Sequence, residues 1–398
     1  MNADVPVSSM IDEDRIRWLP LAAAIASISV VGIAIGLGMP LLSVILEARG
    51  HSATMIGLNT AVAGLASIAA APIATPLGAR LGVVPTLVLM MASGALAFVG
   101  FYYADAFWMW FPLRVVLHVA LTVVFILSEY WINVSAPSKR RGLVLGIYAT
   151  MLSLGFAFGP WIFARIGSEG FLPFGIAFGL VVLGMLPVLA AWRESPVIPG
   201  RSKDAGGDFL RYIWLVPTAT AAVLVFGAVE TGGFALFPLY GTRVGYSEAE
   251  AALLLSMIGL GNVLFQVPIG MLSDRIGDRR RVLVACATVG LAGMLLLPTI
   301  ESQWWPTAAL LFVWGGAVAA LYTVGLAHLG AQLTGRELAS ANAAFVLCYG
   351  LGMLLGPQAI GVGLDLLGPP GFGYTIAIFF ALYLALVLSR LARGPSRS

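Results

Sequence analysis

Twelve apolar stretches dominate the chain: 19–46, 54–76, 85–103, 107–133, 142–166, 171–192, 211–240, 249–271, 282–300, 306–328, 339–366 and 372–391. Each runs to 19 residues or more. About 20 helical residues cross the ~30 Å hydrocarbon core of a bilayer, so every stretch is long enough to span one. Only 10% of the residues are charged and 60% are hydrophobic, whereas a soluble domain is about a quarter charged and half apolar. The surface of such a chain must itself be apolar, and its solvent is lipid. The expected fold is an all-α integral membrane protein with twelve transmembrane helices.

The polar connections then fix organisation. The longest, 193–210, divides the stretches six and six. This predicts an N-terminal six-helix bundle over 1–192, a cytoplasmic linker over 193–210 and a C-terminal six-helix bundle over 211–398. With the N-terminus inside, eighteen Lys and Arg fall on inner segments and three on outer loops. That asymmetry places both termini in the cytoplasm. The net charge of +3 is thereby read as topology rather than nucleic-acid binding. The first stretch follows acidic residues, Asp12, Glu13 and Asp14, and is longer than a signal-peptide core, so it is expected to be a retained helix. Cys286 and Cys348 each lie inside an apolar run, which argues against a disulfide framework or a metal site.

The halves repeat. Gly50-His51-Ser52 matches Gly245-Tyr246-Ser247 at an offset of 195, and Arg80-Leu81-Gly82 matches Arg275-Ile276-Gly277 at the same offset. Gly155, Gly159 and Pro160 in the fifth stretch match Gly352, Gly356 and Pro357 in the eleventh, at 197. An even number of helices per half makes this a parallel repeat, with a pseudo-two-fold axis along the membrane normal. The small residues allow close helix approach, read here as packing or a hinge between the halves.

One connection stands out. Gly270, Asp274, Arg275, Gly277 and Arg279–Arg281 form a Gly-x-x-x-Asp-Arg-x-Gly-x-Arg-Arg pattern between the eighth and ninth stretches. With the twelve runs, the central linker and the repeat, it resembles the loop signature of the major facilitator superfamily of secondary transporters. Glu129-Tyr130-Trp131-Ile132-Asn133, Pro137, Arg141-Gly142 and Tyr148 resemble the bacterial YcaD-like branch, beside a likeness to drug–proton antiporters. The resemblance implies two bundles that rock about a central cavity. It also implies that Asp274 docks at the start of the fifth helix, near Lys139–Arg141, when the carrier faces outward. The counterpart between the second and third stretches is degraded: Thr75 and Ala79 replace the Gly and Asp, while Arg80 remains. Arg80 facing Glu337 is the expected substitute contact. The antiporter pattern of the fifth helix keeps Gly155, Gly159 and Pro160 but has Phe163-Ala164 for its final Gly pair, a departure that weakens the case for antiport.

Charges inside the apolar runs are the candidate site. Arg114 costs about 2.5–3.5 kcal/mol to insert at a helix centre, so it should face a cavity or a partner. His118, four residues on, shares its helix face. Arg114, with His118 beside it, reads as a substrate anchor for an anionic group or as a cation that tunes a nearby acid, and Arg114 alternatively as a residue that snorkels to the outer interface. Glu230 and Glu129 are the embedded carboxylates and the proton-coupling candidates, because a carboxylate moved between apolar and hydrated surroundings can take up and release a proton. Tyr148, Asn262, Gln266, Tyr322 and Tyr349 are further polar groups that either line a cavity or bond helix to helix. Gly270, Asp274, Arg275, Gly277, Arg279, Arg280, Arg80, Arg141 and Glu337 are the gating set.

The chain has no Gly-x-x-x-x-Gly-Lys-[Ser/Thr] loop and no nucleophile elbow, so neither ATP coupling nor enzyme chemistry is expected, and no cofactor. The expectation is a monomeric carrier in the bacterial inner membrane that moves a small molecule, coupled to protons and in the export direction. The alternatives are a proton-coupled importer of a small organic anion and, from another class, a transporter-like sensor or lipid-handling protein.

Overall fold

A computed structural model describes residues 17–137, 140–198, 210–333 and 335–392. Lys139 and most of the linker, 199–209, lie outside the described residues, as do both chain ends. Among the described residues, twelve helices are long and apolar enough to cross a membrane. They are α1 (Trp18–Ala48), α2 (Ala53–Leu81), α3 (Val83–Tyr103), α4 (Trp110–Ser135), α5 (Arg141–Ile166), α6 (Leu172–Ala190), α7 (Pro217–Arg243), α8 (Glu248–Arg275), α9 (Arg279–Ile300), α10 (Trp304–Gly330), α11 (Gly335–Leu367) and α12 (Pro370–Ala392).

The repeat is visible in how helices begin. Ser52 caps α2 by accepting from the Met55 N–H at 3.3 Å, and Ser247, 195 residues on, caps α8 by accepting from the Glu250 N–H at 3.3 Å. Glu250 returns a bond from the Ser247 N–H at 2.9 Å, completing a capping box. Gly50 and Gly245 precede these caps with φ of 85° and 100°, a conformation that disfavours any side chain.

Three boundaries differ from the sequence reading. The seventh stretch, 211–240, is not one helix. Arg211–Leu215 forms a short turn and α7 restarts at Pro217, because proline lacks the N–H that would continue the first segment. The signature of the α8–α9 connection is mostly helical: Gly270, Asp274 and Arg275 lie in the last turns of α8, and Arg279–Arg281 open α9. Its loop shrinks to Ile276–Asp278, since the Asp278 carboxylate accepts from the Arg280 N–H at 3.0 Å and starts α9 there. Arg80 is likewise the last turn of α2 rather than loop.

Helices α1–α6 pack among themselves, as do α7–α12, and the halves meet chiefly along two seams, α2 against α11 and α5 against α8. The repeat-matched glycine pairs of the sequence do not lie on those seams. Gly155 and Gly159 approach Gly32 and Gly36 of α1, while Gly352 and Gly356 approach Leu224 and Ala228 of α7. Both contacts are internal to a half, which corrects the reading of these residues as packing between halves. Their physical role is the same, a backbone-to-backbone approach that a Cβ would prevent. On the seams that role falls to Gly64 of α2, against Gly350 and Leu354, and to Gly259 of α8, against Phe156 and Ala157. Gly64 and Gly259 are 195 residues apart, so the repeat places one at each seam.

Candidate functional site: a pocket between two unequal ends

At the end opposite the basic connections the two halves are stitched together. The Asp365 carboxylate, near the end of α11, accepts from the Ala53 and Thr54 N–H groups at 3.1 and 2.8 Å. Those are first-turn N–H groups of α2, which have no partner inside their own helix. Arg243, at the end of α7, donates to Glu47 of α1 at 3.1 Å and lies 3.7 Å from Asp365. These three side chains are each 27% exposed, so water screens the cluster only partly. On the other seam Ser168, just past α5, donates to Glu248 of α8 at 2.8 Å. Every hydrogen bond or ion pair between the halves, among the described residues, lies at this end.

The basic end is unstitched. Asp274 pairs with Arg279 of its own connection at 3.0 Å, and its side chain is 71% exposed. It does not reach the start of α5, where a Cβ on Gly142 or Gly146 would meet nothing within 4 Å. Arg141 donates instead to Asn133 of α4 at 3.2 Å. Arg80 and Glu337 are exposed and make no ion pair among the described residues. Gly270 and Gly277 likewise face open space. The one compact piece is Asp278 with Arg280, held by three side-chain bonds of 2.7–3.0 Å. The guanidinium keeps the Asp278 carboxyl below its ordinary range. The residues expected to gate therefore do not meet across the halves at this end.

Between the ends lies a small, partly open pocket formed by α5, α7, α8 and α10. Glu230 and Asn262 line it, together with Phe156, Phe226, Phe234 and Trp314. The Glu230 carboxylate accepts from the Tyr349 hydroxyl at 2.6 Å. Tyr349 belongs to an aromatic cluster with Phe226 and Tyr322, with ring centroids 5.5–6.2 Å apart. Phe234, one turn from Glu230 towards the stitched end, meets Phe156 of the other half edge to face at 5.2 Å. Glu129 is exposed on α4, and Tyr148 beside it shares a hydrogen bond with Ser128 at 2.8 Å.

Arg114 and His118 are elsewhere. Arg114 is 0% exposed inside the first half, donating to Asn59 of α2 at 3.1 Å and lying over Phe101 at 5.9 Å. His118 is buried one turn on, its Nδ1 3.1 Å from the Arg114 carbonyl oxygen. Neither lines the Glu230 pocket, and Gln266 does not line it either. So Glu230 and Asn262 line the pocket, Tyr349 bonds to Glu230 with Tyr322 packed against it, Glu129 and Tyr148 lie outside the lining, and Arg114 and His118 are buried within the first half.

The sequence reading missed the stitched end altogether: Glu47, Arg243, Asp365, Ser168 and Glu248. A signal existed. Glu47 and Arg243 each stand just before a repeat-matched turn, at Gly50 and Gly245. It also missed the pocket aromatics Phe156, Phe226, Phe234 and Trp314, which one-dimensional pattern cannot separate from lipid-facing ones.

Comparison with known proteins places this geometry. The sequence pattern of the Major Facilitator Superfamily matches residues 24–260 and 234–398. The "Uncharacterized MFS-type transporter YfkF" of Bacillus subtilis is 26% identical over 371 residues, covering 91% of this chain and 93% of that protein. The "Uncharacterized MFS-type transporter YcaD" of Salmonella typhi is 23% identical over 308 residues, covering 77% and 78%. Among solved structures, the nucleoside transporter NupG superposes with a TM-score of 0.77 at 15% identity, covering 95% of this chain and all of that one. A bacterial homologue of the human lysosomal transporter Spinster, in an inward-facing and unoccupied conformation, gives 0.70 at 17% identity, covering 96% and 98%. At these identities the structures speak to the fold.

Proposed function

The chain belongs to the Major Facilitator Superfamily, and on that premise we propose that it carries a small molecule across the bacterial inner membrane by alternating access, exporting it in exchange for protons. The observation that carries this reading is the contrast along the seams: halves joined at one end, parted at the other, with the Glu230 pocket between. With the basic end in the cytoplasm, as the charge asymmetry favours, this conformation is inward-open. Closing it would bring Asp274 towards the start of α5, whose N-terminus carries partial positive charge. That contact is made in one state and not the other, as a two-state carrier requires.

Proton coupling is assigned to Glu230, with Glu129 as the second candidate. Glu230 has a hydroxyl partner and no guanidinium partner, so its proton is free to be exchanged against a substrate that competes for the same oxygens. Import of an organic anion anchored on Arg114 fits less well, because Arg114 is sealed inside the first half. The division into 1–192, 193–210 and 211–398, and action as a monomer, belong to the same proposal.

The test uses proteoliposomes loaded with a pH-sensitive dye. A panel of nucleosides, sugars, carboxylates and organic amines is added under an imposed pH gradient, with wild type and Glu230→Gln compared. At least one class should drive proton movement in wild type, and the variant should lose it. Solute movement that is equal in both proteins and independent of the gradient would remove the coupling and leave the carrier.

A further inference from the structure

The composition of the Glu230 pocket points to the charge of its ligand. Resting on the transporter reading above, we infer that the substrate is an organic cation with an aromatic or bulky apolar body. Glu230 is the only charged residue among those lining the pocket, and no Lys, Arg or His lines it. Its carboxylate projects into walls that are otherwise apolar or aromatic, save for Asn262. The Asn262 Oδ1 is buried with no hydrogen-bond partner, so the pocket offers a second acceptor. An ammonium or similar cation satisfies both groups.

The other charge classes fit badly. A neutral apolar ligand would strip water from Glu230 without replacing it, and an unpaired buried charge is costly. An anion would meet Glu230 directly, with no cation in the lining to offset the repulsion. Arg114, the cation that would attract an anion, is buried among α1–α4 behind Asn59 and Met39.

The aromatic groups point the same way independently. Phe156, Phe226, Phe234 and Trp314 line the pocket that holds the carboxylate, and Phe226 lies nearly parallel to Tyr349 at 24°. The Phe156–Phe234 pair roofs the pocket on the stitched side and joins the two halves. Ring faces attract a cation through their quadrupole, more strongly where water is excluded. A ligand held there would touch both halves through Phe156 and Phe234, so its size would bear on whether the roof can part.

The test is an isosteric charge swap. Tetraphenylphosphonium and tetraphenylborate share shape and size and differ in sign. Equilibrium binding to detergent-purified protein is read for each, in wild type, Glu230→Gln and Phe226→Leu. Gln keeps an oxygen to accept the Tyr349 hydroxyl, so the fold should survive and only the charge is lost. Tetraphenylphosphonium should bind wild type, weaken by more than about 10-fold in Glu230→Gln, and weaken by about 5–30-fold in Phe226→Leu. Tetraphenylborate should show no binding that depends on Glu230. Equal binding of both ions, no binding of the cation, or an unchanged affinity in Glu230→Gln would each overturn the assignment. The two proposals fail separately. Proton-linked flux of a carboxylate or a neutral solute in the dye assay would remove the cation and keep the coupled carrier. Charge-selective binding with no coupled flux would do the reverse.

Discussion

The two seams are related by the internal repeat, yet they carry different polar side chains at their ends. Along α2 and α11 the stitched end carries the Glu47–Arg243–Asp365 cluster and the carboxylate cap on α2. The basic end of the same seam has lost its aspartate, with Ala79 standing where the repeat has Asp274. Along α5 and α8 the pattern inverts. The stitched end has a single Ser168–Glu248 bond, while the basic end keeps the whole Asp274 signature. If Asp274 docks at the start of α5 when the basic end closes, as proposed, the strong fastenings lie on a diagonal, one per seam and one per end. A carrier with equal fastenings at all four corners would have to break two at once in either direction. On the proposed docking of Asp274, a diagonal arrangement would let one seam hold each state.

Four changes would break or sharpen this contrast. The largest effect is expected from Gly64→Leu. Even a Cβ there would stand 2.5 Å from the Leu354 nitrogen and 2.6 Å from the Gly350 oxygen, both backbone atoms that cannot swing away. Overpacking of this kind costs about 1–3 kcal/mol, enough to prop the seam open and lower solute flux more than about 10-fold. Thermal unfolding in detergent, measured alongside, separates a propped seam from a failed fold. Normal flux would show that α2 and α11 need not close this tightly.

Arg243→Ala comes next. It leaves the Glu47 and Asp365 carboxylates facing one another without their shared cation. Charged hydrogen bonds contribute about 1.5–3 kcal/mol each when intact, and partial exposure lowers that, so a 5–30-fold fall in the closed population is expected. Distances between spin labels on the α1–α2 and α7–α8 turns would lengthen; an unchanged distribution would make the cluster an ornament of the surface.

Asp274→Asn should act on the opposite end. It touches only Arg279 in this conformation, so the label distances at the stitched end should not move, while transport slows several-fold because the alternate closure is weakened. A variant that transports at the wild-type rate would reduce the signature to a topology signal. Ser168→Ala is the smallest. A single hydrogen bond to a carboxylate in contact with water contributes well under the ~1.5–3 kcal/mol of a buried one, and flux within about 2-fold of wild type is expected. A loss matching that of Arg243→Ala would mean that the seams are equal and the diagonal is wrong.

How far the fold could be read from the chain differs element by element. Run length and composition gave twelve helices, because a segment in lipid must satisfy its own backbone, and helix does that from local sequence alone. The repeat was legible in turn residues such as Gly50 and Gly245, whose positive φ is a local demand. Glu230 stood out because a carboxylate in an apolar run is expensive wherever it faces. The same logic singled out Arg114 and could not tell that the two sit apart.

That separation marks the boundary. Length, hydropathy and local backbone demands determined the helices, the family signature and the short list of polar residues, since each of these depends on neighbours close in sequence. Which glycines lie on the seams, which end is fastened and which rings surround Glu230 were decided only by tertiary structure. They depend on contacts between residues as far apart as Ala53 and Asp365, which are 312 positions distant in the chain and 3.1 Å apart in the fold.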